Sequence, residues 1–215
     1  MIRAVLFDLD GTLADTAPDL GHALNRQRIA RGLVSLPINF LRTEASAGAR
    51  GLLNLGFNIK PGDLEYEMMC NEFLDFYAER LCNDTCLFPG VIELLEQIEA
   101  RGLLWGIVTN KHRRFTGPLL KQLDLDQRAA CVISGGDTVQ SKPHPEPLLA
   151  ASHTLTIPPI ECLYLGDDRR DVEASLAAGM KPVIAKYGYL GSESPPESWG
   201  ARYLIERPQD LLNYL

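Results

Sequence analysis

Five short apolar runs limit what this chain can fold into: residues 3–9, 103–109, 131–134, 162–166 and 182–185. They are short, largely continuous and rich in branched residues, so they read as strands buried on both faces, the pattern of a parallel sheet covered by helices. Helical periodicity separates the later runs. Residues 89–101 open on Pro89-Gly90 and carry Val91, Leu94, Leu95 and Ile98 on one face; 114–123, 145–155 and 169–178 follow, the last with Gly179 as its C-cap. The alternation predicts an α/β fold, a doubly wound parallel sheet with a Rossmann-like core.

Residues 14–86 break this rhythm. They hold no convincing strand and read as helical near 18–31, 38–55 and 63–82. Met69, Phe73, Phe76 and Tyr77 form an apolar stripe that reads as helix packing rather than a ligand site. The expected organisation is a core of residues 1–13 and 87–215 with an inserted helical cap domain of residues 14–86. Its stems would be Thr16-Ala17-Pro18 and Leu87-Phe88-Pro89-Gly90. A cap entering just after the first strand would lie over that strand's end and exclude water from it.

A net charge of −7 on 215 residues leaves no basic excess to neutralise nucleic-acid phosphates. No apolar run reaches the roughly 18 residues of a membrane span, and the first residues lack the pattern of a signal peptide. The expectation is a cytoplasmic protein with neither a membrane nor a nucleic-acid partner. The five cysteines (70, 82, 86, 131 and 162) include no C-x-x-C pair and read as reduced thiols. Oligomeric state leaves no signature in the sequence.

The chemistry begins where the first run ends, at Phe7-Asp8-Leu9-Asp10-Gly11-Thr12. In open α/β sheets this end of the strand faces the ligand crevice. Two carboxylates two residues apart repel and call for a cation or a shared proton. A hard, oxygen-seeking ion shared with a substrate phosphate, such as Mg²⁺, suits them. Three further clusters close later strands: Val108-Thr109-Asn110-Lys111, Ser141-Lys142-Pro143 and Gly166-Asp167-Asp168-Arg169-Arg170-Asp171. Each alone reads equally well as a turn, a solvated lysine or a helix cap. Their order, each at a strand end, gives them weight.

The set resembles the haloacid dehalogenase-like hydrolase superfamily in its phosphoglycolate phosphatase-like branch. The likeness runs over nearly the whole chain. It implies a sheet in which the strand bearing Asp8 lies between those bearing Thr109 and Asp167. It also implies that Asp8 attacks phosphorus and becomes an aspartyl phosphate, a carboxylate nucleophile splitting hydrolysis into two transfers. Mg²⁺ would be held by the Asp8 side chain, the Asp10 main-chain carbonyl and the Asp167 side chain. Thr109 would bind a phosphate oxygen, Asn110 would help shape that pocket, and Lys142 would neutralise the transferring group. Asp10 would protonate the leaving alkoxide, which favours a phosphomonoester substrate. Asp168 and Asp171 stay open between ordering the metal's waters, bracing Lys142 (for Asp171) and capping a helix.

The segment Ala45-Ser46-Ala47-Gly48-Ala49-Arg50-Gly51 resembles the specificity loop of this cap type. There Arg50 would pair with a substrate carboxylate or, in the plainer reading, stand solvated. Together with Tyr187-Gly188-Tyr189 and Trp199-Gly200-Ala201, it resembles N-acetylmuramic acid 6-phosphate phosphatases of cell-wall recycling. The expected function is a Mg²⁺-dependent phosphatase acting on a small carboxylated phosphate ester; the alternative is a sugar phosphomutase.

Overall fold

The computed structural model describes residues 1–191 and 194–215. Its centre is β1 (Ala4–Phe7), whose four residues are all buried. They alternate between the faces of the sheet. Val5 and Phe7 pack into one core with α5 (Val91–Ala100) and α6 (Arg113–Gln122). Ala4 and Leu6 face a second core built on α7 (Glu146–Leu155) and α8 (Arg169–Ala177). A strand covered on both sides has no polar face, which is why its sequence does not alternate.

β1 pairs in parallel with β4 (Leu104–His112) on one side and β6 (Cys162–Gly166) on the other. The sheet continues through β5 (Cys131–Gly135), β7 (Lys181–Ala185) and β8 (Tyr203–Ile205), in the order β5-β4-β1-β6-β7-β8, with every pairing parallel. The predicted fold class and the flanking of β1 are both observed. β8 was not foreseen. Its three residues follow a Trp-Gly loop and are held by pairing to β7, not by a local apolar run.

The insertion holds four helices: α1 (Ala17–Ala30), α2 (Ile38–Arg42), α3 (Gly48–Phe57) and α4 (Tyr66–Ala78). The single helix expected over 38–55 is broken. A 3-10 turn at Ala45–Ala47 and a positive φ of 59° at Gly48 separate α2 from α3. The sequence there is small-residue and glycine-rich, with little side-chain packing to hold a continuous helix. Leu20 and Leu24 of α1, Leu52 and Leu53 of α3, and Phe73 and Tyr77 of α4 join the same core that covers Phe7. The helical layer is therefore seated over the end of β1 that Phe7 closes.

Two short strands tie the stems of the insertion. β2 (Ala14–Asp15) pairs antiparallel with β3 (Cys86–Leu87). Beside them the fully buried Asp19 accepts hydrogen bonds from the main-chain N–H of Asp84 and Thr85 and from the Thr85 hydroxyl. Among the described residues no helix is long and apolar enough to cross a membrane.

Candidate active site

Asp8 leaves β1 with its N–H donating to the Leu165 carbonyl at 2.9 Å, which continues the pairing with β6 by one residue. This delivers its carboxylate to the crevice between the ends of β4 and β6. Lys142 reaches the same point from the loop after β5. Its ammonium lies 3.0 Å from Asp8 Oδ1 and 2.7 Å from Asp171 Oδ1. It also donates to the Tyr164 hydroxyl at 2.7 Å and the Val108 carbonyl at 3.1 Å. Burial works against the ammonium, but Asp171 and Asp8 outweigh it and hold its pKa above the ordinary lysine value.

Asn110 stabilises the Lys142 loop. Its side-chain oxygen accepts from the Lys142 N–H at 3.0 Å and its amide donates to the Lys142 carbonyl at 2.9 Å. Asn110 thus shapes the pocket through the main chain of Lys142. Thr109 is buried within β4 where its register against β5 begins to slip, its hydroxyl accepting from the Lys111 N–H at 3.1 Å.

Asp167 ends β6 with no solvent exposure. Its carboxylate accepts from the hydroxyls of Thr12 at 2.9 Å and Ser46 at 2.8 Å, and from the N–H of Tyr189 at 2.9 Å. Among the described residues no basic side chain pairs with it. Burial pushes its carboxyl well up, and Asp8 and Asp171 push it further. Asp8 is likewise raised to about 7 by burial, with Lys142 opposing and Asp171 and Asp10 reinforcing. Carboxylate oxygens of Asp8, Asp167 and Asp171 all lie within 4.8 Å of one another. Buried carboxylates this close, one of them without a cationic partner, fit a divalent cation. The glycines leave room for that arrangement. A Cβ on Gly11, at φ 83°, would come 2.2 Å from Asp167 Oδ2, and one on Gly188 would come 2.4 Å from the Gly11 carbonyl oxygen.

Asp171 has two roles that the sequence left open. Its Oδ1 takes Lys142, while its Oδ2 accepts the Asp168 N–H at 3.0 Å in the capping box of α8. Asp168 is the N-cap and chelates Arg170, 2.9 Å from Nε and 2.7 Å from Nη2. Arg170 then donates to the Ser46 carbonyl at 2.9 Å. Ser46 therefore touches the core twice, by its hydroxyl and by its main chain.

Asp8, Ser46, Thr109, Lys142, Arg170 and Asp171 border a cavity of about 420 Å³, and Asp167 is not on its lining. Its floor is polar, with Asp8, Asp10, Thr109 and Lys142; Leu20, Phe73, Tyr77 and Phe115 supply apolar wall. The stripe read as packing is thus packing and cavity wall at once. Arg50 is a correction. It is exposed and lines not this cavity but a neighbouring groove with Glu44, Arg169 and Glu173. The break at Gly48 starts α3 so that Ala47, Gly48 and Ala49 line the cavity while Arg50 does not. The basic side chains on the cavity lining, besides Lys142, are Lys111, His112, Arg114 and Arg170. Arg50→Ala is therefore expected to change kcat/KM by less than about fivefold on any phosphate ester, because a solvated charge contributes ~1 kcal/mol or less. Steady-state kinetics on phosphoglycolate against p-nitrophenyl phosphate checks this; a tenfold loss confined to the carboxylated ester would restore Arg50 to the site.

Sequence reasoning gave no role of their own to Thr12, Ser46, Lys111, Tyr164 and Tyr189. The Tyr189 hydroxyl accepts from the N–H groups of Thr16 and Ala17 at the start of α1 and donates to Asp15, while its own N–H serves Asp167. The signal for it was the Tyr-Gly-Tyr segment, whose Gly188 permits the close approach.

Residues 5–185 match the family model for haloacid dehalogenase-like hydrolases. The chain is 41% identical over 210 residues to the N-acetylmuramic acid 6-phosphate phosphatase of Pseudomonas putida, covering 98% of this chain and 94% of the relative. It is 41% identical over 209 residues to a phosphoglycolate phosphatase of Xanthomonas campestris, covering 97% and 94%. The crystal structure of a predicted phosphoglycolate phosphatase from Haemophilus somnus superposes with a TM-score of 0.87 at 27% identity, covering 99% of this chain and 97% of that one. Four strand-end clusters around one crevice, a family match over most of the length and relatives this similar lead to one conclusion: the chain belongs to the haloacid dehalogenase-like hydrolase family, as a phosphatase.

Proposed function

We propose that the protein hydrolyses a small carboxylated phosphomonoester, of the N-acetylmuramic acid 6-phosphate or phosphoglycolate type, through an aspartyl-phosphate intermediate on Asp8. The observation that carries this reading is Asp8, a carboxylate held by Lys142 on the floor of a half-open cavity. In the reading, residues 1–13 and 87–215 are the catalytic core and 14–86 the cap, and the enzyme works on a cytoplasmic metabolite.

Asp8 attacks phosphorus in line with the ester oxygen. Thr109 holds a phosphate oxygen, and Lys142 meets the charge on the transferring group. Asp10 gives a proton to the leaving alkoxide and later takes one from the attacking water. Mg²⁺ would be held by the side chains of Asp8 and Asp167 and the Asp10 carbonyl, because Asp171 is already engaged by Lys142 and the helix cap. When bound, the ion supplies the charge neutralisation that lets an anionic nucleophile meet an anionic phosphate. A cavity of about 420 Å³ lies within the ~300–1,000 Å³ range that encloses ligands of drug size. That volume favours an amino-sugar phosphate over glycolate, and its aromatic wall offers a sugar an apolar face. With Arg50 outside, recognition of the carboxylate falls to His112 and Arg114 on the cavity wall.

The test is phosphate release from N-acetylmuramic acid 6-phosphate, phosphoglycolate and β-glucose 1-phosphate, with and without chelator. Release to water from a carboxylated ester is expected, lost with chelator and restored by Mg²⁺. Full activity in metal-free buffer would overturn the metal assignment. Transfer of labelled phosphate to a second sugar hydroxyl, in place of water, would make the enzyme a mutase.

A further inference from the structure

Lys111 takes no part in the chemistry above, yet it is buried beside it. It follows Thr109 and Asn110 where β4 slips register against β5, between Val108 and His112. Its ammonium lies 2.9 Å from Asp10 Oδ1, the two side chains being 7% and 14% exposed. The Thr16 hydroxyl donates to the same oxygen at 2.5 Å. Oδ1 therefore accepts two hydrogen bonds, whereas among the described residues no donor reaches Asp10 Oδ2. The Lys111 ammonium is also covered from the insertion, 4.6 Å from the ring centroid of Tyr77 on α4. Asp10, Lys111 and Tyr77 all line the cavity that holds Asp8.

A buried ion pair is weak ground for stability, because desolvation offsets most of the attraction. Its value lies in fixing an orientation. A carboxylate free to rotate about its last bond presents either oxygen to the substrate, and a misplacement of ~1 Å costs about a hundredfold in rate.

We propose that Lys111 is a positioning residue: with Thr16 it locks Asp10 Oδ1 and leaves Oδ2 as the one oxygen that exchanges protons during the reaction. The inference rests on the reading of Asp10 as the acid and base of the phosphatase. In the first transfer a bond forms between Asp8 and phosphorus. The ester P–O bond breaks with its electron pair going to the leaving oxygen, which takes the proton from Oδ2. In the second transfer a water oxygen bonds to phosphorus, its proton passes to Oδ2, and the Asp8–phosphorus bond breaks to return the carboxylate. Ester and water become alcohol and phosphate, and Asp10 ends as it began. The same oxygen must serve both steps, which is what a lock on its neighbour secures.

The experiment compares single-turnover release of the leaving group from phosphoglycolate, an alkoxide that needs a proton, and from p-nitrophenyl phosphate, whose phenolate hardly does. Lys111→Met is expected to slow the first by about a hundredfold, the lower end of acid–base contributions, and the second by less than about fivefold. KM is expected to stay within about threefold for both, and Lys111→Arg to recover part of the rate on phosphoglycolate. Equal losses on both esters, a loss confined to KM, or no loss at all would overturn the proposal. Should Lys111→Met fail to fold, Thr16→Val carries the same comparison with the same expected selectivity. Asp10→Asn separates the two readings. If it turns over phosphoglycolate at the wild-type rate, the role of Asp10 itself falls. If it is inactive while Lys111→Met keeps the wild-type rate on phosphoglycolate, only the positioning role falls.

Discussion

Asp8→Asn is expected to abolish turnover and leave the fold intact. An amide cannot form the acyl phosphate, so the loss should approach the ~10⁶-fold scale on which removal of a nucleophile acts. The structure argues that folding survives. The Asn oxygen can still accept from the Leu9 N–H, which donates to Asp8 Oδ1 at 2.8 Å, and from Lys142. Lys142 keeps Asp171 as its counter-charge. One negative charge leaves a cluster in which burial, Asp171 and Asp10 all penalise ionised Asp8. The melting temperature should therefore hold or rise. Phosphate release by stopped assay, alongside a thermal melt, tests both halves; near-wild-type turnover would sink the aspartyl-phosphate mechanism.

Lys142→Met is expected to damage both activity and stability, for separable reasons. The side chain is 3% exposed, and its ammonium is the shared partner of Asp8, Asp171 and the Tyr164 hydroxyl. Methionine matches its length but leaves Asp8 and Asp171 buried together without a cation. Breaking a buried pair by removing one partner costs about 3–5 kcal/mol, roughly 10 °C in melting temperature for a chain of this size. Loss of one preorganised cation at the transferring group costs a further ~10²–10³ in kcat. The double variant Lys142→Met with Asp171→Asn separates the effects. It removes one of the stranded charges and should recover much of the stability, while activity stays low because the cation is still missing. Recovery of activity along with stability would show that Lys142 acts only by holding the fold.

The sheet and four of its strand-end clusters were legible because their causes are local or nearly so. Strands buried on both faces must be continuously apolar, and ligand groups must sit where such strands stop. The strand pattern put Asp8, Thr109, Lys142 and Asp167 each near a strand end, and the resemblance to the haloacid dehalogenase-like hydrolases implied that they converge. The helical character of residues 14–86 was legible as a break in the same rhythm. The interior of that insertion was less so: Gly48 divides an expected helix, and the division takes Arg50 out of the cavity and brings Ser46 to Asp167. Local propensity at a run of small residues is too weak to decide such a break, and packing on the sheet decides it.

What tertiary structure alone determined is which polar atoms meet. Lys111 and Asp10 lie 101 residues apart in the chain, and Ser46 and Asp167 lie 121 apart. Tyr164, which read as one more apolar residue of β6, places its hydroxyl 2.7 Å from Lys142. β8 and the two-residue strands at the stems exist because a neighbour offers them hydrogen bonds, and no period of two or 3.6 residues can be read from so few. The sequence determined the sheet and the chemical groups at its active end, since burial and strand periodicity are written residue by residue. The pairing of those groups, the face Arg50 turns away from and the lock on Asp10 depended on distances between remote segments, which arise only when the chain has closed on itself.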